Sequence, residues 1–296
     1  MDKYLIINAD DFGMCHSANV AVSDLFTNGG CITSATIMAP CAWAKEAVDF
    51  AKANPQLAIG AHLTTTNEWS RYRWKPLSGN KSLMDDEGFM HHESDEFEKA
   101  ADLKETEEEL IAQVEFFKKL GFEPSHLDNH MGSLYGIETG RVELAQLVIT
   151  LAGKYGLPFR FPTHFTDAQF ENDMLAIHID KAMVQQFIGG FAQLGQSLGV
   201  AMPDYLIPND WAGPQCDSYD NFRDYLYTLY ESYEPGVTET YLHPAVESDE
   251  LKAITGCWQR RVWEYNIMKD PKTKQHIKDC GIKLINYRDL AEMKKA

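Results

Sequence analysis

The sequence predicts a parallel α/β fold, a closed or partly closed (β/α) barrel. Two observations carry this. Short β-rich runs alternate with helical stretches along the whole chain, and a length of 296 residues fits a barrel better than an open doubly wound sheet. The first run, Lys3 to Asn8, contains Tyr4-Leu5-Ile6-Ile7 and delivers Asn8-Ala9-Asp10-Asp11-Phe12-Gly13 at its C-terminal mouth. Ala18 to Asn28 has apolar residues at helical spacing and stops at Gly29-Gly30. Ile32 to Ala39 reads as the second strand, and Trp43 to Ala53 as a helix ending before Asn54-Pro55. Leu57 to Leu63 is the third strand. Thr106 to Leu120 is an amphipathic helix with Leu110, Val114, Phe117 and Leu120 on one face and Gly121 as its stop. Strands follow at Ser125 to Asp128, Leu157 to Phe161, Tyr205 to Ile207, Val237 to Leu242 and Ile282 to Asn286, about eight in all.

The stretches 67–102 and 208–221 are polar and without clear periodicity. They read as excursions over the catalytic face, the first a lid, and not as linkers, so one domain is expected over 1–296. The balance of 27 basic against 44 acidic residues, a net −17, argues against nucleic acid or an anionic membrane as partner. No apolar run approaches the roughly 20 residues a membrane helix needs. The six cysteines form no C-x-x-C pair, and the chain starts directly in a strand. Reduced thiols, no signal segment and a cytoplasmic location are the expectation.

In a barrel, functional side chains collect at C-terminal strand ends. Here the first strand ends in Asp10 and Asp11, the third in His62, the fourth in His126-Leu127-Asp128-Asn129-His130, and a later one in His243-Pro244. A carboxylate with two histidines can hold a catalytic divalent metal and leave positions for water and substrate. The other aspartate would then act as general base or orient a ligand, and a separate histidine could protonate a leaving group. Each residue alone has a plainer reading: Asp10-Asp11 as a helix cap, His62 and His126 as hydrogen-bonded structural residues, His243 as a strand terminus.

The segments Ile7 to Gly13, Ile59 to His62, Pro124 to His130, Leu242 to Pro244 and Gly281 to Leu290 together resemble the YdjC-like carbohydrate deacetylases, a branch related to polysaccharide deacetylases. The resemblance implies an irregular TIM-like barrel and a bound divalent metal. It suggests Mg²⁺ foremost, with Zn²⁺, Mn²⁺ and Co²⁺ compatible, and removal of acetyl groups from N-acetylated sugars of the chitooligosaccharide type. It implies Asp11, His62 and His130 as metal ligands, Asp10 as general base and His243 as the acid. Arg160 would pair with a catalytic carboxylate and keep it ionised. His126, Asp128 and Trp69 are candidate substrate contacts, Trp69 with Tyr72 and Trp74 as stacking aromatics. Where relatives carry further histidines after the H-x-D-x-H run, this chain has Met131-Gly132-Ser133-Leu134. The alternatives are another metallohydrolase, such as a phosphoesterase, and a catalytically silent sugar-binding protein. A homodimer is the base-rate expectation.

Overall fold

In the computed structural model, which describes residues 2–166, 169, 181–209 and 212–295, β1 (Lys3–Phe12) is the hub. It pairs in parallel with β2 (Ser34–Ile37), β6 (Gly236–Leu242) and β7 (Ile282–Leu284). β7 takes the N-terminal end of β1, at Lys3 to Leu5, while β2 takes its C-terminal end, from Asn8 to Phe12. The sheet path runs β4–β3–β2–β1–β6–β5, with β3 (Ala58–Leu63), β4 (Leu127–Asn129) and β5 (Tyr205–Leu206).

Backbone hydrogen bonds carry the ring on from β4 to β6. Leu127 N–H donates to Pro158 O at 2.9 Å and Arg160 N–H to Leu127 O at 3.0 Å. Phe159 N–H then reaches Ala201 O at 3.0 Å, and Asp204 N–H reaches Val237 O at 2.9 Å. The result is an irregular TIM-like barrel. Residues 157–161, expected as a strand, are an extended segment with a single bridge, Leu127 to Phe159. Pro158 and Pro162 supply no N–H, so a regular ladder cannot form there. Seven strands, rather than about eight, stand among the described residues.

Alternation along β1 divides the interior. Leu5, Ile7 and Ala9 face the helices and join the main core, with Val22, Val48, Leu110, Val114 and Phe117. The helices packed there include α1 (His16–Thr27), α2 (Ala44–Ala53) and, beyond α3 (Ser94–Ala100), α4 (Leu103–Lys119). Asp102 caps α4 by accepting from the N–H groups of Lys104 and Glu105 at 2.9 and 3.0 Å. On the other face of β1, Ile6 joins Ala201, Val237, Tyr287 and Leu290 in a separate cluster. Tyr287 opens the C-terminal helix, which follows α5 (Val142–Tyr155), α6 (Lys181–Ser197), α7 (Tyr219–Ser232), α8 (Asp249–Ile254), α9 (Trp258–Lys269) and α10 (Pro271–Asp279). That helix is α11 (Tyr287–Lys295).

The 67–102 excursion is braced within itself and tied to α4. Arg73 donates to Asn67 Oδ1, Asp85 Oδ2 and Met90 O. Buried Glu109 on α4 accepts from the N–H groups of Leu77 and Ser78 at 3.0 and 2.7 Å. The segment also contains α3, so it is structured rather than a bare loop. Of the second expected excursion, residues 210 and 211 lie outside the described residues. The remainder includes a 3-10 turn at Pro214–Cys216 and the start of α7.

Candidate metal and catalytic centre

Two adjacent carboxylates on a regular strand would point to opposite faces. β1 avoids this with an irregularity: its register against β2 shifts between Ala9 and Phe12, and Asp11 adopts φ +61°. Such a left-handed residue is uncommon outside glycine, though Asp tolerates it better than most. The bulge brings both Asp10 and Asp11 to one pocket.

Asp11 Oδ1 lies 3.6 Å from His62 Nε2 and 3.5 Å from His130 Nδ1. It is buried and has no hydrogen-bond partner. Its other oxygen accepts from Arg261 Nη1 at 2.8 Å. Each imidazole is oriented from behind by a carboxylate. His62 Nδ1–H donates to Asp128 Oδ1 at 2.7 Å, and His130 Nε2–H donates to Glu68 Oε2 at 2.8 Å. A carboxylate only accepts, so the facing ring nitrogens of His62 and His130 are the ones left for a cation. Three convergent donors, one of them an orphaned buried oxygen, fit a divalent metal.

The His62–Asp128 pair follows from register, since the two residues are direct neighbours across β3 and β4. β3 can approach this closely because position 60 is glycine. A Cβ there would meet His126 O at 2.5 Å and the His126 ring at 2.7 Å.

Asp10 sits beside this group, its Oδ2 4.0 Å from His62 Nε2. Arg160 donates from Nη1 to Asp10 Oδ2 and from Nη2 to Asp10 Oδ1, both at 2.7 Å. Its Nη2 also lies 2.9 Å from Asp128 Oδ2, and its Nε donates to Glu239 Oε1 at 2.8 Å. Burial opposes the charged form of Asp10, but the guanidinium outweighs it and lowers the carboxyl to about 2. At Asp11 burial is likewise overcome, by Arg261, which holds it well below the usual carboxylate range. Burial opposes charge at His130 too, and Glu68 and Asp11 override it, raising the imidazole to about 10. His243 behaves in the opposite way: burial pushes it down to about 4 against the pull of Asp11.

Asp10, Asp11, His62, His130 and Arg160 thus converge on one pocket, and His243 follows the end of β6 within range of the Asp10 and Asp11 charges. Two of the expected substrate contacts sit behind this pocket. His126 is completely buried, stacked on Tyr287 with ring centroids 3.8 Å apart, and its Nε2–H donates to Asn8 Oδ1. Asp128 is also completely buried and is occupied by His62, Arg160 and the Thr36 hydroxyl. Neither has a face to offer a sugar, and both support the centre from behind. Trp74 is buried edge-on to His130, 6.1 Å between centroids, so it pins the excursion rather than lining open solvent. Trp69 is half-buried, with the Arg261 guanidinium 5.8 Å from its ring centroid.

Glu68, Glu239, Arg261 and Tyr287 were not singled out from the sequence. Glu68 and Tyr287 lie inside stretches noted there, but Arg261 belongs to a charged helix with no distinguishing local pattern.

A family model described as YdjC-like protein matches residues 4–279. A carbohydrate deacetylase of Enterococcus faecalis is 29% identical over 294 residues, spanning 98% of this chain and 99% of the relative. A chitooligosaccharide deacetylase of Yersinia enterocolitica is 27% identical over 298 residues, spanning 98% and 100%. Among solved structures, a candidate cellobiose-phosphate cleavage protein of Enterococcus faecalis V583 superimposes with a TM-score of 0.75 at 28% identity. The match covers 98% of this chain and 99% of that one.

Proposed function

This chain belongs to the YdjC-like protein family, and from that premise we propose that it is a carbohydrate deacetylase hydrolysing the acetamide of N-acetylated sugars, chitooligosaccharides among them. The observation that carries the reading is the clamped Asp10 beside the Asp11, His62 and His130 group. The names of the relatives, carbohydrate deacetylase and chitooligosaccharide deacetylase, support the substrate class.

A divalent cation held by Asp11, His62 and His130 would polarise the acyl oxygen and acidify a water. Two imidazoles among three donors suit Zn²⁺, Co²⁺ or Mn²⁺ at least as well as the Mg²⁺ suggested by resemblance. Asp10, kept ionised by Arg160, takes the proton of the attacking water on a carboxylate oxygen. His243 is neutral at rest because burial disfavours its cation. Negative charge developing on the attacked amide raises its proton affinity, so it takes up a proton from solvent and passes it to the departing nitrogen, while Asp10 returns the water's proton to solvent.

The test is acetate release from N,N′-diacetylchitobiose by metal-loaded protein, with a chelated control and each metal supplied separately. Metal-dependent acetate supports the reading. The likeness to a candidate cellobiose-phosphate cleavage protein favours a second reading, hydrolysis of a phosphorylated disaccharide. Product from that substrate, with no acetate from acetylated sugars, would replace the first reading by the second. No helix among the described residues is long and apolar enough to cross a membrane. The expected homodimer is tested by sedimentation of the purified chain, and a monomer there removes it.

A further inference from the structure

Arg160 presents five N–H donors in one plane. Its two terminal nitrogens serve Asp10 and Asp128, while on the β6 side Nε donates to Glu239 Oε1 at 2.8 Å and the Tyr241 ring centroid lies 4.6 Å from the guanidinium carbon. Glu239 is completely buried on β6, and its other oxygen accepts from the Tyr287 hydroxyl of α11. Tyr287 reaches the same centre by a second path. Its ring stacks on His126 with an interplanar angle of 11°, and His126 Nε2–H donates to Asn8 Oδ1 at 3.3 Å. Asn8 Nδ2 in turn donates to Asp10 Oδ1 at 2.7 Å. Two chains of contact therefore run from one tyrosine near the C-terminus to one carboxylate at the end of β1.

We propose that Glu239 and Tyr287 are positioning residues for Asp10, holding Arg160 from behind so that both terminal nitrogens stay on that carboxylate. The proposal rests on the reading of Asp10 as the base of the reaction. Asp10, Asp128 and Glu239 share a single guanidinium, so where its plane sits decides which carboxylate it serves. Without the Nε anchor the Tyr241 ring centroid still lies 4.6 Å from the guanidinium carbon, but a ring face does not fix its in-plane rotation toward Asp128. The Tyr287 hydroxyl fixes Glu239, and its ring fixes the Asn8 side of Asp10.

The variants are Tyr287→Phe, Glu239→Leu and Glu239→Gln in the full-length, metal-loaded protein. Tyr287→Phe removes one hydroxyl and keeps the stack on His126, so it reports even where Glu239→Leu fails to fold. Displacing a reacting group by a fraction of an ångström costs roughly ten- to a hundred-fold in rate. The expected result is a kcat loss of that order in Tyr287→Phe and Glu239→Leu, with KM for N,N′-diacetylchitobiose and bound metal unchanged. Glu239→Gln keeps an oxygen for Nε and restores most of kcat. Independently of turnover, the Nε–H resonance of Arg160, assigned by its loss in Arg160→Lys, shifts in Tyr287→Phe and Glu239→Leu. An unmoved resonance with wild-type kcat in Tyr287→Phe overturns the proposal. A wild-type protein that releases no acetate sinks the deacetylase reading alone, and the resonance still decides whether Arg160 is held this way.

Discussion

Arg160 holds both oxygens of Asp10, each at 2.7 Å, across 150 positions of sequence. A buried carboxylate would ordinarily take up a proton. The bidentate pair reverses that tendency and makes Asp10 a carboxylate that stays charged and ready to accept.

Asp10→Asn is nearly isosteric and leaves the three metal-facing donors in place. Turnover falls by roughly 10²–10⁴, the usual contribution of a general base, while bound metal stays at the wild-type level. Acetate release and elemental analysis of the same sample measure both. Full activity at full metal content would show that another group is the base.

The same pair makes stability acid-sensitive. Asp10 is lowered in the fold, from 3.8 to about 2, so its ionised form stabilises the protein fully above pH 3.8 and that contribution is lost as pH falls through 2. Arg160→Met leaves the buried carboxylate without its counter-charge, at a cost of about 3–5 kcal/mol. Urea unfolding across an acid series reads this out: the variant is weakest relative to the wild type above pH 3.8, and the gap narrows in acid as its unpaired Asp10 takes up a proton and the wild-type pair is lost. Equal midpoints for the two proteins would mean that the pair does not stabilise the fold.

Glu68 orients His130 by a 2.8 Å hydrogen bond. Glu68→Gln weakens that hold while sparing every residue facing the cation. Metal affinity drops by about 10- to 100-fold, as is usual when such a partner is lost. Competition with a chromophoric chelator measures it, and an unchanged affinity would leave Glu68 a role only in folding.

His130 is raised to about 10 in the metal-free protein, so it is protonated at neutral pH. A cation can use its Nδ1 only after the proton leaves, so metal binding releases protons near neutrality. Calorimetry in buffers of different ionisation enthalpy counts them. The sign for stability follows from the raised value. Without metal, the His130 contribution is fully present below pH 6.5 and is lost as pH rises through about 10. Metal uptake without proton release would show that His130 binds from an already neutral state.

The left-handed Asp11, at φ +61°, separates backbone from ligand effects. Asp11→Gly and Asp11→Ala both lose the carboxylate and bind metal poorly. Alanine additionally carries a left-handed penalty of about 1–2 kcal/mol that glycine escapes. Thermal unfolding of the two metal-free variants should therefore place the glycine form higher, and the reverse order would argue that the bulge relaxes.

Much of this centre is legible locally. Asp10, Asp11, His62, His130 and His243 stand at or just beyond strand ends that hydrophobic runs mark clearly. The Gly121 stop and the apolar face of the helix before it are equally plain. The strand at Leu157 to Phe161 is misread because its apolar residues look regular while Pro158 and Pro162 deny it a full ladder. The net −17 of the whole chain does not describe the charge at the centre. Arg160 and Arg261 both enter the pocket, where they donate to Asp10 and Asp11.

Taken by itself, the amino-acid sequence determined the barrel class and which carboxylates and imidazoles stand at strand ends, because periodicity is encoded within a few neighbouring residues. The roles expected of Asp10, Asp11, His62 and His130 came from the family resemblance. Only the tertiary structure decided how the charges are shared: Asp128 to His62, Glu68 to His130, Arg261 to Asp11, and Glu239 with Tyr287 behind Arg160. Those pairings join residues between 48 and 250 positions apart. They depend on strand register, on one left-handed aspartate and on the approach of helices from the far end of the chain, none of which a local pattern of side chains specifies.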